Sequence, residues 1–178
     1  MSSLYEQSIP VMIKYLHNAS KMLDKAVAYA DEKGIPHEDI LTFRLRDDMR
    51  PITYQIQSLS NTAKWFIVRV LGHPNTTLTD DETTFADLQT RIATTITLLS
   101  STPLFSISQS DLYSLATKEV IMETPKMGNF RFESGQIYLS EYAIPNFHFH
   151  LTTAYCILRH LGVPLGAFDY LGGVFHKV

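Results

Sequence analysis

The chain is predicted to be all-α, a four-helix bundle with one small β-hairpin between the third and fourth long helices. Three observations carry this. Four stretches repeat apolar residues at the helical spacing of three and four. Glycine, proline or a capping residue punctuates their ends. One region, from about 118 to 133, alternates like a pair of short strands. The 178 residues suffice for one domain with a real core, and neither a repeat nor a linker divides them, so a single domain is expected over residues 1–178.

Pro10 suits the first turn of a helix, and the stripe Met12, Leu16, Ala19, Met22, Leu23, Ala26 and Ala30 runs to a stop at Gly34. His37 to Leu41 has room for one helical turn. The charged connector that follows, with Arg44, Arg46, Asp47, Asp48 and Arg50, reads as a solvated loop, unless Arg44 or Asp48 closes over a pocket mouth. Pro51 opens the second long helix, whose stripe Ile52, Ile56, Leu59, Ala63, Phe66, Ile67 and Val70 ends at Gly72. That helix also carries Gln55, Gln57, Ser60, Asn61, Thr62 and Lys64, some of them necessarily at the border of the stripe.

After a loop of Pro, Asn, Asp and Thr, Thr84 with Asp87 predicts a capping box for a third helix through Ser100. A short helical turn is expected around Asp111 to Leu115, then strands near Lys118–Glu123 and Asn129–Glu133. Ser134 caps the fourth helical region at Gly135. Pro145 falls inside that pattern and should kink or split the helix before its end at Gly162. The aromatic, glycine-rich tail from Leu165 is expected to pack along the bundle.

The composition is 45% hydrophobic and 19% charged, which places the chain with globular proteins and not with disordered ones. A net charge of −3 without basic runs offers no footprint for nucleic acid. The lone Cys156 forms no internal disulfide and, in an apolar helix, reads as a buried small hydrophobe. With no membrane-length apolar run and no leader-like start, the expectation is a cytoplasmic protein with no membrane partner.

Chemistry concentrates between Pro145 and Gly162, where three of the seven histidines fall. His148 and His150 point to different sides of a helix, and His160 lies about 15 Å along the axis from His150. This stretch alone therefore cannot chelate a metal. Asn146 and His150 do share a face one turn apart, with Thr153 beside them. Gln57 and Asn61 form a similar polar pair on the second helix. Cys156 has Arg159 and His160 within reach on the helix surface, a weak pattern for thiolate catalysis. Paired acids at Asp47-Asp48 and Asp80-Asp81-Glu82 read as solvated loops, and Gly172-Gly173 lacks the strand and helix context of a phosphate loop.

Thr62-Ala-Lys64, Glu82-Thr-Thr-Phe85, Pro145-Asn-Phe147, His150, Thr152-Thr-Ala-Tyr155, Ile157-Leu-Arg-His160 and Gly162 together carry a resemblance that spans nearly the whole chain. It resembles the DinB/YfiT-like superfamily of helical bundles and, within it, a family of unknown function among small bacterial and fungal proteins. The resemblance implies an up-down-down-up bundle, a homodimer and a divalent metal, zinc or nickel, held by one residue of the second helix and two of the fourth. Some members of the wider superfamily act as thiol-dependent transferases or isomerases using bacillithiol or mycothiol. Here the implied ligand positions hold Gln57, Asn146 and His150, two amides and one imidazole. Amide oxygens suit zinc poorly, so no cofactor is predicted.

The expectation is thus a central cleft lined by Gln57, Asn61, Asn146, His150 and Thr153 that binds a small organic molecule without a metal. If the protein is an enzyme, His150 is its general acid or base. The alternatives are a metal-dependent superfamily-type enzyme and a non-catalytic interaction or stress protein with its cleft packed shut by Tyr138, Tyr142 or the tail.

Overall fold

The computed structural model describes residues 4–102, 109–125 and 127–176. Residues 1–3, which bear on the localisation expectation, the weakly patterned 103–108, Lys126 and residues 177–178 lie outside them. In chain order the elements are α1 (Leu4–Lys33), α2 (His37–Leu41), α3 (Ile52–Arg69), α4 (Phe85–Ser100), α5 (Gln109–Thr117), β1 (Val120–Thr124) and β2 (Gly128–Phe132). A short helix α6 (Gly135–Ile137), a π-helical segment (Tyr138–Ala143), α7 (Ile144–His160) and a final turn α8 (Ala167–Tyr170) complete the chain.

The four long helices α1, α3, α4 and α7 form the bundle, with α3 packed chiefly between α7 and α4, and α1 against α4. Phe66, Phe147, Leu16, Met12, Leu59 and Tyr138 are fully buried among them. Each large apolar side chain so placed contributes about 1.5–3 kcal/mol, which is why the stripes decide the fold. The connector with Arg44, Arg46, Asp47, Asp48 and Arg50 is exposed, and neither Arg44 nor Asp48 lines the main cleft.

Local chemistry explains the boundaries. Thr84 Oγ1 accepts from the Asp87 amide at 3.1 Å while the Asp87 carboxylate accepts from the Thr84 amide at 2.9 Å, completing the expected box. The hydroxyls of Thr90, Thr94, Thr95 and Thr97 each donate to the carbonyl four residues earlier, so these threonines ride on α4 without competing for its ladder. In the hairpin Val120 faces Phe132 and Met122 faces Phe130, with Val120 and Met122 buried and Ile121 turned out. Asn18 donates to the carbonyls of Tyr170 and Gly172, and Lys25 pairs with Asp169 at 2.6 Å, which fastens the tail to α1.

Two prolines fall within helical segments, and one of them departs from expectation. Pro10 does not start α1; it lies inside a helix that begins at Leu4. Leu4 and Ile9 extend the buried stripe upstream while Pro10 itself is exposed, so burial outweighs one missing ladder bond. The fourth helical region runs through Pro145 without a non-helical break, but its geometry changes there, where the π-helical segment ends and α7 begins. The turn before it, Tyr138–Ala143, widens to π-helical geometry, which accommodates a residue that can neither donate nor pack closely on the preceding turn.

Candidate functional site

Three cross-links define the seam between α3 and the fourth helical region. Arg69 Nη1 donates to Tyr138 Oη at 3.0 Å, Asn146 Nδ2 donates to Thr62 Oγ1 at 2.8 Å, and His150 Nδ1 meets Gln55 Oε1 at 2.8 Å. Numbers rise on one helix as they fall on the other, so the two run antiparallel. Above this seam lies a cleft of about 700 Å³, walled by Tyr54, Ser58, Thr62, Trp65 and Arg69 of α3 and by Tyr142, Asn146 and His150 opposite. The hairpin closes one side with Met122, Phe130 and Phe132 among others.

The protonation of His150 follows from its neighbours. Gln55 Nε2 donates to the Arg50 carbonyl at 3.0 Å. A carbonyl can only accept, so it holds the amide nitrogen on its own side and turns the amide oxygen to the imidazole. Nδ1 therefore carries the hydrogen and Nε2 is left as an acceptor. Nε2 has no protein partner among the described residues and is not sealed from solvent. Burial pushes the His150 pKa down from its ordinary 6.5 to about 4, so the ring is neutral at neutral pH. Beside it, Thr62 Oγ1 donates to the Ser58 carbonyl at 2.7 Å and accepts from Asn146, which fixes the Asn146 amide and leaves its oxygen without a protein partner.

The expected site residues divide into two groups. His150, Asn146 and Asn61 border the cleft. Gln57 and Thr153 do not line it. Gln57 follows Gln55 by two residues, about 200° around the helix, and therefore faces α4. There its Nε2 donates to Glu82 Oε2 at 2.9 Å and its carbonyl accepts from Arg91. Asn61 leans the same way, donating to Asp80 at 3.1 Å. Thr153 spends its hydroxyl on the Phe149 carbonyl at 2.7 Å and borders a separate shallow groove with Leu45, His148 and Cys156. Gln55 and Thr62 are the functional partners that sequence reasoning passed over. Their signal was the polar series Gln55, Ser58, Thr62, Trp65 and Arg69, spaced three or four apart along one face.

The other two histidines are separate, as their spacing required. His148 Nδ1 meets Tyr170 Oη at 2.9 Å, and His160 stacks on Phe43. Cys156 is exposed, contrary to the expectation of a buried thiol, and borders the shallow groove with Leu45 and His148. The paired acids are not merely solvated loops: Asp80 and Glu82 hold Arg91 at 2.8 and 2.6 Å, with the Arg91 side chain only 1% exposed. Nor is the cleft packed shut. Tyr138 sits in the core, Tyr142 forms a wall, and the tail packs on α1.

A metal at Gln57, Asn146 and His150 does not fit this geometry. Gln57 faces α4 and does not line the cleft, which leaves the Asn146 oxygen, a weak ligand, and His150 as the one strong donor. Among the described residues no group of three or more His, Cys, Asp or Glu could hold a metal ion.

A long-helix bundle with one hairpin and a polar cleft between its second and fourth long helices defines a DinB-like protein. Residues 4–171 match the family described as Domain of unknown function (DUF1993), and the chain belongs to that family. It is similar to a solved crystal structure of a DinB family member from Shewanella denitrificans, with 35% sequence identity and a TM-score of 0.84 over 98% of this chain and 95% of that one. No curated protein matches the chain. Among the described residues no helix is long and apolar enough to cross a membrane.

Proposed function

We propose that the protein binds a small organic molecule in the cleft between α3 and α7, without a metal, and that His150 Nε2 accepts a hydrogen bond or proton from it. The observation that carries this reading is the chain from the Arg50 carbonyl through Gln55 to His150, which fixes a neutral imidazole with one unpaired nitrogen at the cleft wall. An unpaired polar group costs about 1–3 kcal/mol when it is buried dry, so acceptors left over by such a network persist where water or a ligand reaches them. Here Nε2 of His150 and the Asn146 oxygen have no protein partner among the described residues, and both border a space of ligand size. A pKa of about 4 suits an acceptor and disfavours the general-acid role at neutral pH. The reading keeps the protein in the cytoplasm, and its homodimer rests on the family resemblance; light scattering of the purified chain decides the latter.

Trp65 is the chain's single tryptophan and lines the cleft, so its fluorescence reports on occupancy directly. A panel of small organic molecules should contain compounds that shift Trp65 emission saturably. His150→Ala should weaken them by about tenfold or more. An unchanged binding profile in that variant would contradict the proposal.

A further inference from the structure

The cleft is not electrically uniform along its length. His150, at the end near Gln55, is neutral. Arg69 lies fourteen residues further along α3, about 20 Å away along the axis. It is half-buried, lines the cleft, and uses one of its five N–H donors on Tyr138 Oη. Its guanidinium carbon sits 4.6 Å from the centre of the Trp65 ring, and the Lys64 ammonium sits 4.4 Å from the same ring.

Two cations thus share one indole, and among the described residues neither forms an ion pair. Lys64 is itself buried, and its pKa is pushed down by that burial and by the charges of Arg91 and Arg69, partly offset by Asp80. The acidic residue of the cleft wall, Glu123 on β1, is exposed and makes no ion pair with Arg69. The wall between the two ends is apolar and adaptable, with Met122, Phe130, Phe132, Tyr142 and the Trp65 face.

We infer that the ligand is an amphipathic organic acid, with its carboxylate on Arg69 and its apolar body running along the hairpin wall toward His150. This rests on the reading of the cleft as a ligand site and adds the ligand's charge and polarity. A guanidinium with free donors beside an aromatic face matches a planar carboxylate, which it can grip through two parallel hydrogen bonds. An amine head would meet Arg69 and Lys64 as like charges. A neutral head would leave the guanidinium uncompensated where desolvation makes that most costly.

The test uses three molecules that differ only in the head group: decanoate, decanol and decylamine, titrated below their aggregation limits into the full chain with Trp65 emission as readout. Decanoate should bind about tenfold tighter than decanol, and decylamine more weakly than both. Arg69→Gln should bring decanoate down to the level of decanol, while Arg69→Lys keeps part of the preference. Equal or tighter binding of decanol or decylamine overturns the inference and leaves the cleft reading standing. Failure of all three to perturb Trp65 also overturns the inference, while failure of the whole panel of small organic molecules overturns the cleft reading as well. The comparison on the unaltered protein decides the matter even if Arg69→Gln fails to fold after losing its bond to Tyr138.

Discussion

The two faces of α3 make polar contacts of opposite character. Toward α4, Arg91 is clamped by Glu82 and Asp80, by the carbonyls of Thr79 and Gln57, and the side chains of Gln57 and Asn61 brace the two acids. Toward α7, Gln55, Thr62, Asn146 and His150 pair in series and leave acceptors at a cleft. The first face is a lock, closed by charge; among the described residues its Arg91 Nε is the one buried side-chain nitrogen or oxygen without a partner. The second is a socket open on one side, its His150 end held by neutral hydrogen bonds and its far end by Arg69 on Tyr138. The lesson is that polar residues on one bundle helix are not one site. The helical angle between Gln55 and Gln57 separates the residues at the cleft from those that brace Arg91.

Breaking the lock should have the largest effect. Arg91→Met leaves Glu82, only 10% exposed, without its counter-charge, and should cost about 3–5 kcal/mol in urea unfolding. Trp65-detected binding in the surviving folded fraction should be unchanged, which separates the lock from the socket.

Acid should act next, and on the socket. The folded pKa of His150, about 4, lies below its ordinary 6.5, so the unfolded chain takes up this proton first as pH falls. The stabilising contribution of the neutral buried ring is fully present above pH 6.5 and is lost as pH falls toward about 4, a change of roughly 3 kcal/mol. Unfolding free energies measured across this window should fall less steeply in His150→Gln than in the parent chain. A matching slope in both would contradict the assignment.

Smaller effects sharpen the contrast between the two glutamines. Gln55→Leu removes the acceptor of His150 Nδ1–H and should cost about 1–3 kcal/mol together with most ligand affinity. Gln57→Ala removes a brace from the half-buried rim of the lock; it should cost less than about 1 kcal/mol and spare binding. A reversal of these two results in denaturation and fluorescence titrations would put the site on the wrong face of α3.

Much of the fold was legible because burial repeats with the helical period. The stripes from Met12, Ile52, Phe85 and Phe147, and the Thr84 box, are local signals that tertiary packing reinforces. Pro10 departs from its local rule because burial of Leu4 and Ile9 outweighs it, whereas at Pro145 the helix does change geometry, through a π-helical turn that no local pattern announces. The Asn146 and His150 pair was legible because both lie on one helix one turn apart. Their partners on α3 were not, since either Gln55 or Gln57 fits the border of the stripe and only the register between two helices chooses. The exposure of Cys156 was hidden for the same reason, because which side of a helix is covered depends on its neighbours.

The proposed site depends on the state of one ring, and that state is directly measurable. A nitrogen-15 NMR titration of the His150 imidazole in the intact chain should show the neutral Nδ1–H tautomer at neutral pH, with protonation delayed to about pH 4 and the Nε2 signal shifting when a ligand is added. An Nε2–H tautomer, or a ring that titrates near the ordinary 6.5, would contradict the fixed acceptor on which the proposed site depends.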